Sequence, residues 1–458
     1  MSRLLLSETE SVCPICLKCL PAQRVADGDT VFLEKSCPEH GKFVVPLWRG
    51  LASYRRWGQG PRNFASPTVS TTPVVRGCPH DCGLCPDHRQ QSCCVLLEVT
   101  SRCNLECPIC FASAGRMGRD ATEAEISGWL DTLEAAGGHV HIQLSGGEPT
   151  LRDDLPEIVR LIHARGFGFV QVNTNGIRLA REPDYLAALV EAGLDCVFLQ
   201  FDGATDDVHR ALRGAKLQRL KELAIDGCSR VGVGVVLVPT VMAGINAGRI
   251  GEIVAFAKEH LPTVRAVHFQ PISYFGRAPA PVERITLPEI IEALVACEDG
   301  AIRFDDFAPG SAENPYCSFS GRFRLGVDGR LHPQRNAATS CCGTSVSIPA
   351  TKSCCDTAGP SPDIDRARRY VAGQWRSAGA GDLAGQPSPG LEAFDAFLAA
   401  REQTLGLSGM AFQDAWTLDL DRLRQCHIHI AASAGRLIPF CAFNLTAIDG
   451  HALYRGAA

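Results

Sequence analysis

The chain has 458 residues, of which 45% are hydrophobic and 21% charged, with 45 Lys+Arg against 50 Asp+Glu and a formal net charge of -5. This balance excludes intrinsic disorder and collagen-like structure for most of the length, and the absence of a basic run argues against nucleic acid as a partner. Residues 1–10, with Glu8 and Glu10, are too short and acidic for a signal peptide, and the longest apolar stretch, Val231 to Met242, falls short of the roughly 18 residues that span a bilayer. No transmembrane segment and a cytoplasmic location are expected.

Residues 1–60 form a Cys-bearing module with little helical period, and 61–93 read as a linker running into a second Cys cluster. From 94 to 275, short apolar runs alternate with amphipathic stretches. Strands are predicted at Cys94–Thr100, Val140–Leu144, Phe169–Asn173, Cys196–Phe201, Val231–Val238 and Ala266–Pro271. Helices are predicted at Glu123–Ala136, Leu155–Arg165, Pro183–Ala192, Lys216–Asp226 and Arg249–Glu259, the first opened by a Thr122/Glu125 capping box. Apolar strands of this kind are buried on both faces, so the region reads as one parallel sheet closing into a barrel or partial barrel, with its chemistry at the C-terminal strand ends. The remainder, 276–458, is a looser extension. Within it, 340–390 is rich in Ser, Ala, Gly and Pro and reads as a flexible insertion, Leu391–Leu405 regains helical period, and Cys426–Tyr454 is apolar enough to dock on the core.

The 22 cysteines are too many for an ordinary protein of a reducing compartment, where metal binding or catalysis is the usual reason to keep them. Cys196, Cys228 and Cys297 sit in apolar surroundings and read as core. Cys103, Cys107 and Cys110 follow the first barrel strand, and their three-then-two spacing lets one loop place three thiolates on a four-iron four-sulfur cluster whose fourth iron stays open. A zinc knuckle lacking one ligand is the alternative. Gly146-Gly147-Glu148-Pro149 follows the second strand, where two Gly permit close backbone approach to a ligand with exposed amide donors and Glu148 can accept from an ammonium group. A plain Gly-Gly turn is the bland alternative. Cys78, Cys82 and Cys85 repeat the three-then-two spacing with Cys93 as a fourth thiolate, which predicts a closed electron-carrying cluster or a zinc site. Cys13, Cys16, Cys19 and Cys37 can hold one tetrahedral iron or zinc.

The Cys103/Cys107/Cys110 loop and the Gly146–Pro149 segment together resemble the radical S-adenosylmethionine (radical SAM) superfamily. The resemblance implies a partial (βα)6 TIM-like barrel, a 4Fe-4S cluster, and S-adenosylmethionine held through its amino and carboxylate groups. It also implies that Asn173 and Asn175 after the third strand face the cofactor's ribose, with a helix-capping turn as the alternative. Ile109 departs from the aromatic that many members have there, and Phe111 is expected to replace its packing on the adenine. Asp202, at the end of the fourth strand, is expected either to reach substrate or cofactor or to be a satisfied loop carboxylate.

The flanks are similar to the archaeal tetraether lipid synthase family, also described as a radical methylase of a dihydropterin. This likeness rests on Cys13-Pro14-Ile15-Cys16, Cys37 to Gly41, Gly77 to Pro86 with Cys93, Leu199 to Gly203 and Arg436 to Asn444. It implies further metal sites, among them a set from Cys317, Cys426 and Cys441 with a fourth ligand from Cys341, Cys342 or Cys355, which makes 276–458 a metal-binding extension. Vicinal Cys354-Cys355 reads as an exposed thiol pair. His427 and His429 alternate along a predicted strand and are expected at the surface, with one facing the cavity as the alternative.

These implications predict an enzyme that cleaves S-adenosylmethionine with an electron from a donor such as ferredoxin or flavodoxin and takes hydrogen from an unactivated carbon. Coupling of two lipid chain ends is the main expectation, with the membrane surface as the place of contact. Radical methylation of a dihydropterin or another small molecule is the alternative, and a non-catalytic multi-metal electron-transfer protein is the alternative from another class.

Overall fold

The computed structural model describes residues 3–59, 64–138, 140–281, 283–334, 362–376 and 403–455. The N-terminal module is a four-stranded antiparallel sheet in the order β1 (Leu4–Val12), β2 (Cys19–Asp27), β3 (Thr30–Cys37), β4 (Gly41–Arg49). The short helix α1 (Leu51–Trp57) follows. Lys35 of β3 is buried and donates to Ser11 Oγ (3.0 Å) and to the carbonyls of Ala415 (2.8 Å) and Trp416 (2.9 Å), which ties the module to the C-terminal part of the chain. Burial pushes its ammonium down to about 7.

The barrel predicted from apolar periodicity is present. Its parallel strands are β5 (Cys94–Thr100), β6 (His141–Gly146), β7 (Val170–Thr174), β8 (Cys196–Gln200), β9 (Gly234–Val238) and β11 (Val264–Pro271), neighbours in that order. The two-residue β10 (Thr240–Val241) pairs with β11. Helices α2 (Glu123–Ala135), α3 (Leu155–Ala164), α5 (Pro183–Glu191), α7 (Gln218–Val231) and α8 (Ile250–Glu259) match the predicted ones, and α2 carries the capping box. Val231 ends α7 instead of opening a strand, because Gly232 at φ 72° caps the helix and β9 starts at Gly234. Two helices escaped the periodicity, α4 (Ile177–Arg181) and α6 (Asp206–Arg213), both only a turn or two long.

The extension continues the sheet at both edges. β14 (Thr404–Met410) lies parallel to β11 and is followed outward by antiparallel β12 (Ser318–Leu325) and β13 (Leu331–Pro333). At the other edge β15 (Ile428–Ala432) lies parallel to β5, and antiparallel β16 (Arg436–Pro439) completes the sheet. Thr404 and Leu405 are therefore strand and Gln403 a turn, while 391–402 of the predicted helix lie outside the described residues. The extension opens with α9 (Leu287–Cys297), which precedes β12.

Part of the predicted flexible insertion is the helix α10 (Pro362–Trp375), which lies across the N-terminal ends of the barrel strands. Trp375 meets Phe198 and His268 at ring-centroid distances of 5.4 and 6.1 Å, Arg376 pairs with Asp195 at 2.7 Å, and Arg368 donates to the Ser92 carbonyl at 2.7 Å. The helix thus floors the barrel. Replacing Trp375 by Ala removes the ring that closes this end and is expected to lower stability by about 3 kcal/mol, read as a shift of the urea unfolding midpoint.

Candidate active site

The loop after β5 carries Cys103, Cys107 and Cys110, and all three thiols face one cavity. Backbone bonds fix the loop: Cys103 N–H donates to Gly115 O (2.7 Å), while Cys110 and Arg277 exchange N–H···O bonds of 2.8 and 3.0 Å. Arg277, which sequence reasoning missed, also donates from Nε to Cys107 O (2.6 Å) and from its other arm to Ala114 O (2.8 Å). Its neighbour Gly276 has φ 53°, and a Cβ there would lie 2.8 Å from Cys110 O. Burial pushes the Cys103 thiol up to about 12, so metal loading must displace protons. Three converging thiols fit one face of an iron–sulfur cube and leave its fourth corner without a cysteine among the described residues. Ile109 and Phe111 both line this cavity, and Phe111 packs on Phe440 with centroids 5.6 Å apart.

The glycines after β6 serve a different purpose from the one expected. Gly147 N–H donates to Thr100 O and Glu148 N–H to Arg102 O, both at 2.8 Å, so these amides are engaged with the cysteine loop and not exposed to a ligand. A Cβ on Gly146 would lie 2.1 Å from Thr100 O, and one on Gly147 would lie 2.1 Å from Arg102 O. Glu148 is buried and lines the cavity, yet its carboxylate already accepts from Thr150 N (3.1 Å), Thr150 Oγ1 (2.6 Å), Thr174 Oγ1 (2.6 Å) and Asn175 N (2.7 Å). Pro149 opens a buried turn behind the wall. Asn173 and Asn175 both line the cavity, and Asn175 Nδ2 donates to Asn104 Oδ1 (2.7 Å) within the cysteine loop.

Asp202 is 0% exposed and does not form part of the cavity wall. It takes the satisfied-carboxylate alternative: Arg213 Nε and its terminal nitrogen each approach it at 2.7 Å, and Thr240 N–H donates at 3.0 Å. Burial alone would raise its carboxyl, but the Arg213 guanidinium holds it below the ordinary value. Arg213 itself faces the cavity. Lys221, also missed from sequence, is buried behind it and donates to Asn175 O (2.6 Å) and Gln200 Oε1 (3.2 Å), with burial lowering its ammonium to about 7.

The cavity encloses about 850 Å³ and runs from the cysteine loop at the C-terminal strand ends to α10 at the other end. Inward positions of the strands supply neutral hydrogen-bonding groups: Gln143 of β6, Gln171 and Asn173 of β7, Gln200 of β8, His268 and Gln270 of β11. Gln171 Nε2 donates to Gln143 Oε1 (3.1 Å), and Gln171 Oε1 has no partner among the described residues.

The remaining cysteines sort differently from their spacing. Cys13, Cys16 and Cys37 gather with His40, their ligand atoms within 4.8 Å of one another, a tetrahedral N/S set of the kind zinc or iron takes. His40 replaces the expected Cys19, whose thiol instead donates to Cys78 O at 3.2 Å. The Cys82 thiol beside Cys78 pushes it up to about 12, and Cys85 contacts it as well. Cys93, offered as their fourth ligand, packs with Ala312, Ile364 and Ala367 and lines the main cavity near Glu313 and Arg368. The intervening turns carry it to the start of β5, on the floor side of the barrel. Cys317, Cys426 and Cys441 do converge, on a small cavity of about 20 Å³ that adjoins the main one. Cys341, Cys342, Cys354 and Cys355 lie outside the described residues. His427 and His429 are buried, against the surface expectation; His429 contacts His88 (3.2 Å) and Ser92 Oγ (3.0 Å), and His427 lines the cavity. Cys196 and Cys228 are buried in the core as expected, and Cys297 is half-buried on α9.

Comparison with known proteins separates the shared machinery from the rest. Residues 97–257 match the radical SAM superfamily model, and residues 5–49 match a zinc ribbon domain named for the N-terminus of HMPTM. The 7,8-dihydro-6-hydroxymethylpterin dimethyltransferase of Methanocaldococcus jannaschii is 33% identical over 95% of this chain and 93% of its own. This chain belongs to the radical SAM superfamily. A probable GTP 3',8-cyclase of Methanothermobacter thermautotrophicus is 34% identical, over 36% of this chain and 53% of its own. In space, SuiB of Streptococcus suis is 17% identical with a TM-score of 0.38, over 46% of this chain and 47% of that one. The chain is a radical SAM enzyme, and its family implies a 4Fe-4S cluster, S-adenosylmethionine and a reductant. Among the described residues no helix is long and apolar enough to cross a membrane.

Two outcomes are expected. Gly147→Ala forces the cysteine loop away from β6 and lowers S-adenosylmethionine cleavage by about 10²-fold, measured as 5'-deoxyadenosine from the reconstituted enzyme. His40→Ala removes about one metal ion per chain from the N-terminal module, measured by elemental analysis of the full-length protein.

Proposed function

We propose that the chain is a radical SAM methyltransferase acting on a pterin-class heterocycle. Cys103, Cys107 and Cys110 hold the 4Fe-4S cluster in this reading, and Gly146 to Pro149 with Asn173 and Asn175 form the S-adenosylmethionine side of the cavity. The near full-length likeness to a dihydropterin dimethyltransferase supports the methylation alternative better than lipid coupling. The observation that carries the reading is the cavity wall. Gln143, Gln171, Gln200, His268 and Gln270 face inward. Some of their atoms are paired, as Gln143 is with Gln171, Gln200 with Lys221 and His268 with Ser408, but Gln171 Oε1 has no partner among the described residues, and against hydrocarbon such a group would cost about 1–3 kcal/mol. A heterocycle rich in N–H and carbonyl groups suits this polar wall, and Phe198, Phe319 and Phe412 offer faces for its ring. The volume of about 850 Å³ also falls in the small-molecule range of about 300–1,000 Å³.

When bound, the cluster and S-adenosylmethionine supply one-electron cleavage to methionine and a carbon radical, the electron coming from a ferredoxin- or flavodoxin-class donor. The chain's own part is positional. Glu148 ties the ends of β6 and β7 together under the cysteine loop, Arg213 presents a cation at the mouth, and the apolar rings of Phe111 and Phe440 keep water from one side of it. Cys78, Cys82 and Cys85, the Cys317/Cys426/Cys441 set, and Cys13, Cys16 and Cys37 with His40 are proposed as further metal sites.

The test is an anaerobic incubation with S-adenosylmethionine, a strong reductant and 6-hydroxymethyl-7,8-dihydropterin. Equal amounts of S-adenosylhomocysteine and 5'-deoxyadenosine, with a methylated pterin in the mass spectrum, are expected. Deoxyadenosine formed only with lipid extract, without S-adenosylhomocysteine, would sink the methylation reading in favour of coupling.

A further inference from the structure

We propose that Cys19 of the N-terminal module is the fourth ligand of a four-iron four-sulfur cluster held by Cys78, Cys82 and Cys85, so that this cluster is closed between two parts of the chain. This rests on the reading of Cys78, Cys82 and Cys85 as a metal site and adds the ligand that their own spacing does not supply.

The strand pattern sets Cys19 apart from the other cysteines of its module. It opens β2, and the period of two puts its side chain on the face opposite Leu20, which packs with Cys13 and Cys37. Cys19 is therefore turned away from the group of Cys13, Cys16, Cys37 and His40. Its cross-strand partner is Val12 of β1, so the two share a face. Val12 packs in the apolar cluster that contains Cys82 and has Cys78 against its side. The register thus delivers Cys19 to the Cys78 loop, where its thiol donates to Cys78 O at 3.2 Å. Covalent geometry keeps Cys78 Sγ within about 5 Å of its own carbonyl oxygen, which leaves the two sulfurs close enough to share one four-iron cluster. Cys93 instead starts the barrel sheet, its amide donating to His427 O at 2.8 Å.

The loop around Cys78 is itself held in shape. Asp81 Oδ2 accepts from Val75 N (2.7 Å) and Gly77 N (2.8 Å), and Tyr454 Oη accepts from Cys82 N (2.8 Å) and donates to Pro79 O (2.7 Å). Within it Cys78 contacts both Cys82 and Cys85. Buried donors beside these thiols lack partners. Thr72 is 7% exposed, and its hydroxyl has no hydrogen-bond partner among the described residues. That hydroxyl lies against Gly83, between Cys82 and Cys85, where a Cβ would stand 2.0 Å from it. His80 Nδ1, inside the loop, is in the same condition. Hydrogen bonds to the sulfurs are a standard part of cluster binding, and an occupied site would satisfy both groups. Arg424 pairs with Glu10 at 2.7 Å and also donates to the Cys78 sulfur, so a cation stands where thiolate charge would gather.

The test uses full-length protein carrying Cys103→Ala, Cys107→Ala and Cys110→Ala, which removes the cluster with the open iron. It is reconstituted anaerobically with iron and sulfide, oxidised mildly, and read by electron paramagnetic resonance. Adding Cys19→Ser is expected to give a three-iron signal of about one spin per chain beyond that of the parent, whereas adding Cys93→Ser matches the parent. A second measurement needs no substitution at Cys19. Cys19 is exposed, and iodoacetamide should modify it at least about tenfold more slowly in reconstituted protein than in chelator-stripped protein. No gain of signal with Cys19→Ser, a gain with Cys93→Ser instead, or equal alkylation with and without metal overturns the assignment of Cys19 and leaves the metal reading of the loop standing. A Cys78→Ala/Cys82→Ala/Cys85→Ala variant that keeps the parent's full metal content overturns both.

Discussion

The hydrogen bonds that Gly147 and Glu148 donate to the carbonyls of Thr100 and Arg102 bring the end of β6 against the cysteine loop, and the rest of the site is built from that contact. They form only because neither glycine has a Cβ, which would lie 2.1 Å from a carbonyl oxygen at each position. Once the two strand ends are joined, Glu148 is fixed in place and reaches the third, accepting from Thr174 and Asn175 of the β7 end. Asn175 then returns to Asn104 in the loop. Three strand ends are thereby closed into a ring of hydrogen bonds around the cavity mouth, with Arg277 holding the loop from outside. A net gain of about 0.5–1.5 kcal/mol per bond is modest singly, but a broken link leaves a buried group unpaired at greater cost.

Charge at the mouth is arranged on the same principle. Asp202 and Lys221 are buried behind the wall that Arg213 lines, and removing the carboxylate from such a group typically costs about 3–5 kcal/mol because it strands a buried cation. Burial raises the Cys107 thiol, while Arg213 and Lys221 favour its thiolate. The buried cations of this wall therefore favour negative charge on the neighbouring sulfur.

What could be read in the sequence was what depends on near neighbours. Strand β5 at Cys94–Thr100, the α2 capping box and the three-then-two cysteine spacing are local patterns, and each has its predicted place in the structure. The misreadings at the site involve partners that the local pattern does not show. His40 joins Cys13 across a hairpin, Cys93 departs from Cys85 because β5 begins beside it, and Asp202 faces Arg213 and not the cavity. α10 has low apolar content and sits in a Ser/Gly/Pro-rich stretch, so its role is visible only where Trp375 meets Phe198. Arg277 gave no signal in sequence because its function is to bind carbonyls, which every residue has.

The superfamily match ends at residue 257, and this boundary also divides the cavity lining. The cysteine loop, Glu148, Asn173 and Asn175 fall inside it, whereas Glu313, Arg322, Arg366, Arg369 and His427 fall outside. The extension lays β14 and β15 along the two edges of the barrel sheet and α10 beneath it, so the same segments that cover exposed strand edges also shape the far half of the chamber. The residues that shape the far half can then vary without altering the strands that the superfamily match covers. An alteration in β12 or α10 changes the far half of the chamber without touching the hydrogen-bonded ring at the mouth, since the two ends are separated by the length of the strands between them.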